Sequence, residues 1–227
     1  MKLLSLITLL LLLNPTENQE QKQDCDPDRG IKTAITTATL KSRYATLDDL
    51  NIPESSEVHY NTMGRPTLIA EGKLGTEHRR EYVDGKLQHI ITTRKDLPDF
   101  YLEEELDSLI THSKIISDTA FIVSHHGDGR PYEMLEPNGF VWQFEYSGCE
   151  IELITVLYPE GDTLQQIEII NENGLPIERR WTPFLPKKMT STTTYFGYTY
   201  NEEGHWISRK YIVRDGTVHE TRSLTYY

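Results

Sequence analysis

The feature that most constrains this chain is a turn that recurs. Tyr200-Asn201-Glu202-Glu203-Gly204-His205-Trp206 has counterparts at Tyr60-Asn61-Thr62-Met63-Gly64-Arg65-Pro66 and Ile170-Asn171-Glu172-Asn173-Gly174-Leu175-Pro176. A fourth copy, His125-His126-Gly127-Asp128-Gly129-Arg130-Pro131, has His126 in the Asn place. Asn followed three residues later by Gly suits a type I turn that closes on a left-handed residue. The Asn side chain bonds back to the turn backbone, and Gly takes positive φ without a Cβ clash. A second class of turn, Asp84-Gly85, Asn138-Gly139 and Asp215-Gly216, suits two-residue type I′ hairpins. Gly129, Gly139, Gly148, Gly161 and Gly174 follow one another at the spacing of an antiparallel meander.

The segments between the turns read as strands. In residues 140–148, Phe140, Trp142, Phe144 and Tyr146 share one face, with Val141, Gln143, Glu145 and Ser147 opposite. Residues 86–94 and 206–213 are rich in β-branched and aromatic strand formers, and the threonine-rich 31–45 reads as an opening strand. Residues 183–188 form a loop before the last hairpin. One segment departs from this: Leu102, Leu106, Leu109, Ile110, Ser113 and Ile116 fall near helical spacing after Pro98-Asp99, which predicts an amphipathic helix over 99–117 packed on the sheet. The expected fold is mainly β, a single antiparallel meander sheet of repeated hairpins with that one inserted helix.

At the N-terminus, Lys2 and the apolar run 3–13 have the form of a secretory signal, too short to span a bilayer. The expected organisation is a signal peptide over 1–16, a disordered leader over 17–30 and one domain over 31–227. An exported protein, periplasmic or secreted, follows, or one tethered by an uncleaved N-terminal segment. No later stretch is apolar enough to be a membrane helix. The formal net charge of −12 excludes nucleic acid and anionic membrane as default partners, since both need a positive field. The acidity suits solubility or a basic partner. In an oxidising compartment Cys25 and Cys149 either pair, pinning the N-terminal segment to the middle of the domain, or remain two free thiols.

Tyr-Asn-x-x-Gly-Arg at 60–65, Gly-Arg at 129–130, and Tyr-Asn-Glu-Glu-Gly-His-Trp with Arg222, Tyr226 and Tyr227 resemble the YD repeats of Rhs-type proteins and of small exported bacterial proteins with Rhs-like repeats. The resemblance covers residues 58–227. It implies the strand-turn unit and export. In large Rhs proteins such repeats wind into a shell around a toxin. This chain has Asn for Asp, an irregular period and no room for a shell.

No chemistry-bearing constellation stands out. His125 and His126 beside Asp128 suit zinc in residue type, but the repeat makes them turn residues, without His-x-x-x-His spacing. Asp24 to Gly30 approaches a calcium loop, with its Gly one place late. Glu103, Glu104, Glu105 and Asp107 spread around a helix as a solvated face rather than pairing for glycoside hydrolysis. There is no Gly-x-Ser-x-Gly and no phosphate-cradling loop. No catalytic residue, metal or cofactor is expected.

Thirteen tyrosines and three tryptophans leave an aromatic binding surface as the remaining candidate. Tyr198, Tyr200 and Trp206 near the terminal turn are placed for exposure, and Trp142 is placed either in the core or on a binding face. The expectation is a non-enzymatic exported binding or scaffold module whose partner is a protein or a carbohydrate. The alternative is an immunity-like protein that neutralises a basic toxin.

Overall fold

The protein is described by a computed structural model covering residues 28, 30–42, 47, 52–72, 75–95, 114–184, 190–213 and 216–227. The expected signal and most of the expected leader lie outside these residues.

Fourteen antiparallel strands run β1 (Ile31–Ser42), β2 (Ser55–Tyr60), β3 (Pro66–Glu71), β4 (Thr76–Val83), β5 (Lys86–Lys95), β6 (Ile115–His125) and β7 (Pro131–Leu135). They continue as β8 (Val141–Ser147), β9 (Glu150–Leu157), β10 (Thr163–Glu172), β11 (Leu175–Pro183), β12 (Ser191–Tyr200), β13 (Trp206–Val213) and β14 (Gly216–Tyr226). Each pairs with its neighbour in sequence, as a meander should. The expected open sheet is not found: β14 pairs with β1 from Ile31↔Tyr226 to Ser42↔Gly216 and closes a barrel. Closure removes both free edges, which would otherwise expose unpaired backbone.

The expected helix is not found among the described residues. Residues 99–113 lie outside them, and Ile115–Ser117, the end of the expected helix, begin β6. The reason is local: Ile115 to His125 alternates as a strand, with Ala120 and Ile122 buried and Phe121 and Val123 exposed.

The inward face is filled. Trp142, Ile154, Val156, Ile167, Ile69 and Met134 are fully buried, with Phe144 and Ile90 at 1 % exposure. They form one cluster drawn from β1–β3 and β5–β10. A round fourteen-stranded barrel would enclose a channel, so zero exposure of these side chains requires the two walls to approach each other as packed sheets do. The aromatic face of β8 is therefore core, with Trp142 and Phe144 in one cluster with residues of β1–β3, β5–β7, β9 and β10. The outward positions carry Glu57, Glu77, Arg79, Glu81, Glu145, Glu168, Arg180 and Lys210.

The repeat has a structural meaning. At 61–65, 126–130 and 201–205 the first residue donates its N–H to the fifth residue's carbonyl, and the glycine N–H returns to the first residue's carbonyl. Gly64, Gly129 and Gly204 take φ of 81°, 89° and 83°. This is the type I turn with a glycine bulge that the Asn-x-x-Gly pattern predicts. Asn61 Oδ1 accepts from the Met63 and Arg65 N–H groups, and Asn201 Oδ1 accepts from His205 N–H.

Two turns exchange classes. Asn171 does not open such a turn: it sits in β10 beside a register shift, and Asn173 and Gly174 form a two-residue turn with φ of 51° and 78°. Asn138-Gly139 falls instead in a five-residue turn over 136–140 in which Gly139 alone is left-handed. Asp84-Gly85 is the two-residue turn expected, with both φ positive. Asp215 lies outside the described residues, and Gly216 opens β14.

Candidate functional site

Six hairpins, β2–β3 through β12–β13, turn at the end of the barrel where β1 begins and β14 finishes. Side chains clasp each to the next. Arg65 Nη1 donates to the Gly85 carbonyl, and Tyr82 Oη donates to Pro66 O at 2.9 Å. His125 Nε2 reaches Leu87 O at 2.7 Å, and His126 Nε2 reaches Phe144 O at 3.0 Å. Carbonyls only accept, so both imidazoles carry a proton on Nε2. Arg130 Nη1 donates to Gly148 O, Asn171 Nδ2 to Ile151 O at 3.2 Å, and Tyr198 Oη to Pro176 O at 2.7 Å. Asn201 Nδ2 donates to Tyr226 Oη at 2.6 Å, and Tyr227 Oη donates to the Tyr60 carbonyl. The belt goes full circle, and it uses the repeat residues Arg65, Arg130, Asn171 and Asn201. The His125–His126 pair is spent in it, and among the described residues no His, Cys, Asp and Glu group is arranged to hold a metal ion.

Behind the belt, under β12–β14 and β1, lies a second core made of charge and aromatic rings. Val218, Glu220, Arg222 and Leu224 alternate inward along β14. Arg222 Nη2 donates to Tyr60 Oη at 2.8 Å and lies 3.4 Å from Asp28 Oδ1. Arg209 Nε donates to Glu220 Oε2 at 2.5 Å, and its guanidinium lies over the Tyr195 ring at 5.0 Å. Trp206 takes both arginines, with the Arg209 and Arg222 guanidinium carbons 4.6 and 4.9 Å from its ring centre. Burial pushes Asp28 above the usual carboxylate range despite the opposing pull of Arg222. Burial, and then the Asp28 charge, lifts the Tyr60 phenol upward. Burial and the Glu220 carboxylate do the same to Tyr211. Burial pulls the Arg209 guanidinium down, and Glu220 together with Tyr198 and Tyr195 more than offsets it. The phenols thus stay protonated as donors and Arg209 stays charged. Asp28, at the end of the expected leader, is built into this seam.

The sequence-nominated aromatics divide. Trp142 is fully buried, a core residue and not a binding residue. Tyr198, Tyr200 and Trp206 come together: the two tyrosine rings stack 6.5 Å apart at 22°, and Tyr198 meets Trp206 edge-on at 6.4 Å. They share one hairpin tip, which lies beyond the last strand pairs with its two neighbours. The β11–β12 register stops at Glu178↔Thr194, and the β13–β14 register stops at Ser208↔Thr221. Between these points β12 and β13 pair only with each other, through a register shift around Gly197 at φ 65°. Tyr200 is 48 % exposed, Phe196 41 %, Tyr226 38 % and Tyr227 61 %. Glu202, Glu203 and Gly204 form the exposed turn. Sequence reasoning singled out Tyr226 and Tyr227 only through the repeat resemblance. It missed Arg209, Glu220 and Asp28, although the Val218-x-Glu220-x-Arg222-x-Leu224 alternation was a legible sign of inward charge. Cys149 is buried in the β8–β9 turn at 7 % exposure, no described cysteine is a free thiol, and Cys25 lies outside the described residues.

Fold and site together define a side-chain-filled antiparallel barrel whose β12–β13 hairpin carries exposed aromatic rings at its tip. No family model and no curated protein matches the sequence. Among solved structures the chain is similar to a porin-like protein from Bacteroides uniformis, at 11 % identity and a TM-score of 0.39, over 88 % of this chain and 99 % of that one. It is also similar to TcdB2-TccC3-Cdc42, at 15 % identity and a TM-score of 0.31, over 78 % of this chain and 8 % of that one. At these scores neither likeness carries an argument, and the fold assignment rests on the strand registers.

Proposed function

We propose that this is a non-enzymatic exported binding module, and that the β12–β13 hairpin tip is its binding surface. The observation that carries the proposal is the exposure of Tyr200, Phe196, Tyr226 and Tyr227 around a hairpin tip that lies beyond the last pairs with β11, at Thr194, and with β14, at Ser208. Interface anchors are enriched in such rings, which offer large area at low entropy cost. The rest of the outward wall is unsuited to lipid: Glu77, Arg79, Glu81 and Glu145 stand exposed on it, whereas a membrane barrel turns an apolar band outward. The barrel is thus a water-facing scaffold that holds the tip.

The test is capture from envelope and secreted extracts by the wild-type protein and by the Tyr200→Ala and Tyr226→Ala variants. The proposal expects a component, protein or glycan, that the wild type retains and both variants lose. Equal capture by all three refutes the tip as the binding surface. A single basic protein released by salt would reassign the module as a neutralising partner.

A further inference from the structure

Resting on that assignment of the tip, we infer that its ligand is an extended, basic segment of a protein, which lies along the free side of β12 and places its cationic side chains over Tyr200 and beside Glu202 and Glu203. Three observations carry this, each from a different level of structure.

The first is backbone. β12 runs to Tyr200, but its register with β11 ends at Thr194, so Tyr195–Tyr200 have no strand partner on that side. β11 turns away, its own end pairing with β10 at Pro176↔Asn171 and Leu175↔Glu172. Among the described residues the Tyr198 hydroxyl spans the gap, to Pro176 O. The tips of β4, β8 and β10 are staggered from their preceding strands in the same way over Arg80–Val83, Phe144–Ser147 and Ile169–Glu172, and the free side of β12 is the longer one, Tyr195–Tyr200. An open strand side accepts an extended peptide through main-chain hydrogen bonds, with alternate side chains read by the surface.

The second is ring chemistry. The cluster already takes guanidinium groups on its aromatic faces: Arg209 and Arg222 on Trp206, and Arg209 on Tyr195. Tyr200 stacks on Tyr198 at 22° and is 48 % exposed, so an open face of the same kind remains.

The third is charge. The tip carries Glu202 and Glu203, both exposed, and no lysine or arginine between Tyr198 and Ile207. Arg209 is committed to Glu220 and Arg222 to Asp28, and Lys210 stands farther from the turn, opposite Phe196. On a chain of net charge −12, the local field steers positive charge to the tip.

The experiment uses the full chain with three probes: a nine-residue peptide alternating Arg and Thr, its counterpart alternating Glu and Thr, and a neutral oligosaccharide. Affinity is read by tryptophan and tyrosine fluorescence at low and high salt, and contact by backbone hydrogen exchange. The Arg-Thr peptide is expected to bind saturably and to protect the Tyr195–Tyr200 amides. Binding should weaken by roughly tenfold with Tyr200→Ala. It should lose much of its salt dependence when Glu202→Gln and Glu203→Gln are combined. The Glu-Thr peptide should not bind. Binding of the basic peptide without protection at 195–200, or binding unchanged in both variants, overturns the inference by showing attraction to net charge alone. Protection of the same amides by the oligosaccharide and not by the basic peptide overturns it too, while leaving the tip as the binding surface. No binding by any probe overturns the inference, and the extract capture then decides the broader assignment separately.

Discussion

Glu220 offers the sharpest test of the second core. Its side chain and that of Arg209 are each 12 % exposed, and their oxygen and nitrogen stand 2.5 Å apart. Glu220→Leu removes the carboxylate and leaves the guanidinium buried against Tyr195 and Trp206. Stranding a buried charge costs about 3–5 kcal/mol, because the desolvation penalty stays while the compensating attraction goes. A domain of this size loses roughly 2–4 °C of Tm per kcal/mol, so the expected fall is on the order of 6–20 °C. The double variant Arg209→Met with Glu220→Leu removes both charges and keeps apolar volume, so most of the loss should return, leaving a deficit under about 2 kcal/mol. Urea unfolding followed by circular dichroism measures both, and a single variant too unstable to fold leaves the double variant informative. A loss below about 1 kcal/mol for Glu220→Leu would place the pair in water, where ion pairs contribute little, and would refute the buried network. So would a double variant no more stable than the single one.

The other predictions separate core from surface and test the ionisable turns. Trp142→Ala should cost about 3–5 kcal/mol, whereas Tyr200→Ala should stay within about 1 kcal/mol; the reverse order in urea midpoints would exchange their roles. The Arg130 side chain bonds to Asp128 and holds its carboxyl below the usual range. Its contribution is therefore present above the unfolded value of 3.8 and lost as pH falls through the lower folded value. The half-exposed site limits it to under about 1 kcal/mol, and Asp128→Asn should differ from wild type at neutral pH and converge with it in strong acid. If Cys25 and Cys149 pair, reduction adds about two daltons to the intact mass and removes roughly 4–5 kcal/mol of chain-entropy stabilisation. An unchanged mass excludes the bridge.

What was legible in the chain follows from the range of the forces involved. Strand identity is local: Trp142 and Phe144 alternate with Gln143 and Glu145, and the alternation alone assigns β8 and its two faces, of which the structure buries the aromatic one. Turn chemistry is local too, and Asn61 to Gly64 forms the bulged turn that its residue types demand. The two exchanged turns mark where locality fails. Asn171 has the right spacing to Gly174, but Asn173-Gly174 makes a tighter hairpin, and the Asn171 amide is drawn to Ile151 on the neighbouring hairpin. Closure is less local still. It depends on Thr36 meeting Arg222 and Ala38 meeting Glu220, residues at opposite ends of the chain, and no window of sequence contains both.

The same contrast explains why the proposed binding surface was half legible. Tyr198, Tyr200 and Trp206 were visible as an aromatic cluster beside a turn, but exposure is decided by registers. β14 pairs with β1 along its whole length but with β13 only as far as Ser208↔Thr221, and beyond that point side chains tie the tip to β14, with Asn201 and His205 on the Tyr226 hydroxyl. Truncation after Leu224 removes the Ile31↔Tyr226 and Thr33↔Thr225 pairs together with the Tyr226 and Tyr227 clasps. Its expected mark is faster hydrogen exchange at His205 and Trp206, and unchanged exchange there would show that the turn is held without the Tyr226 clasp.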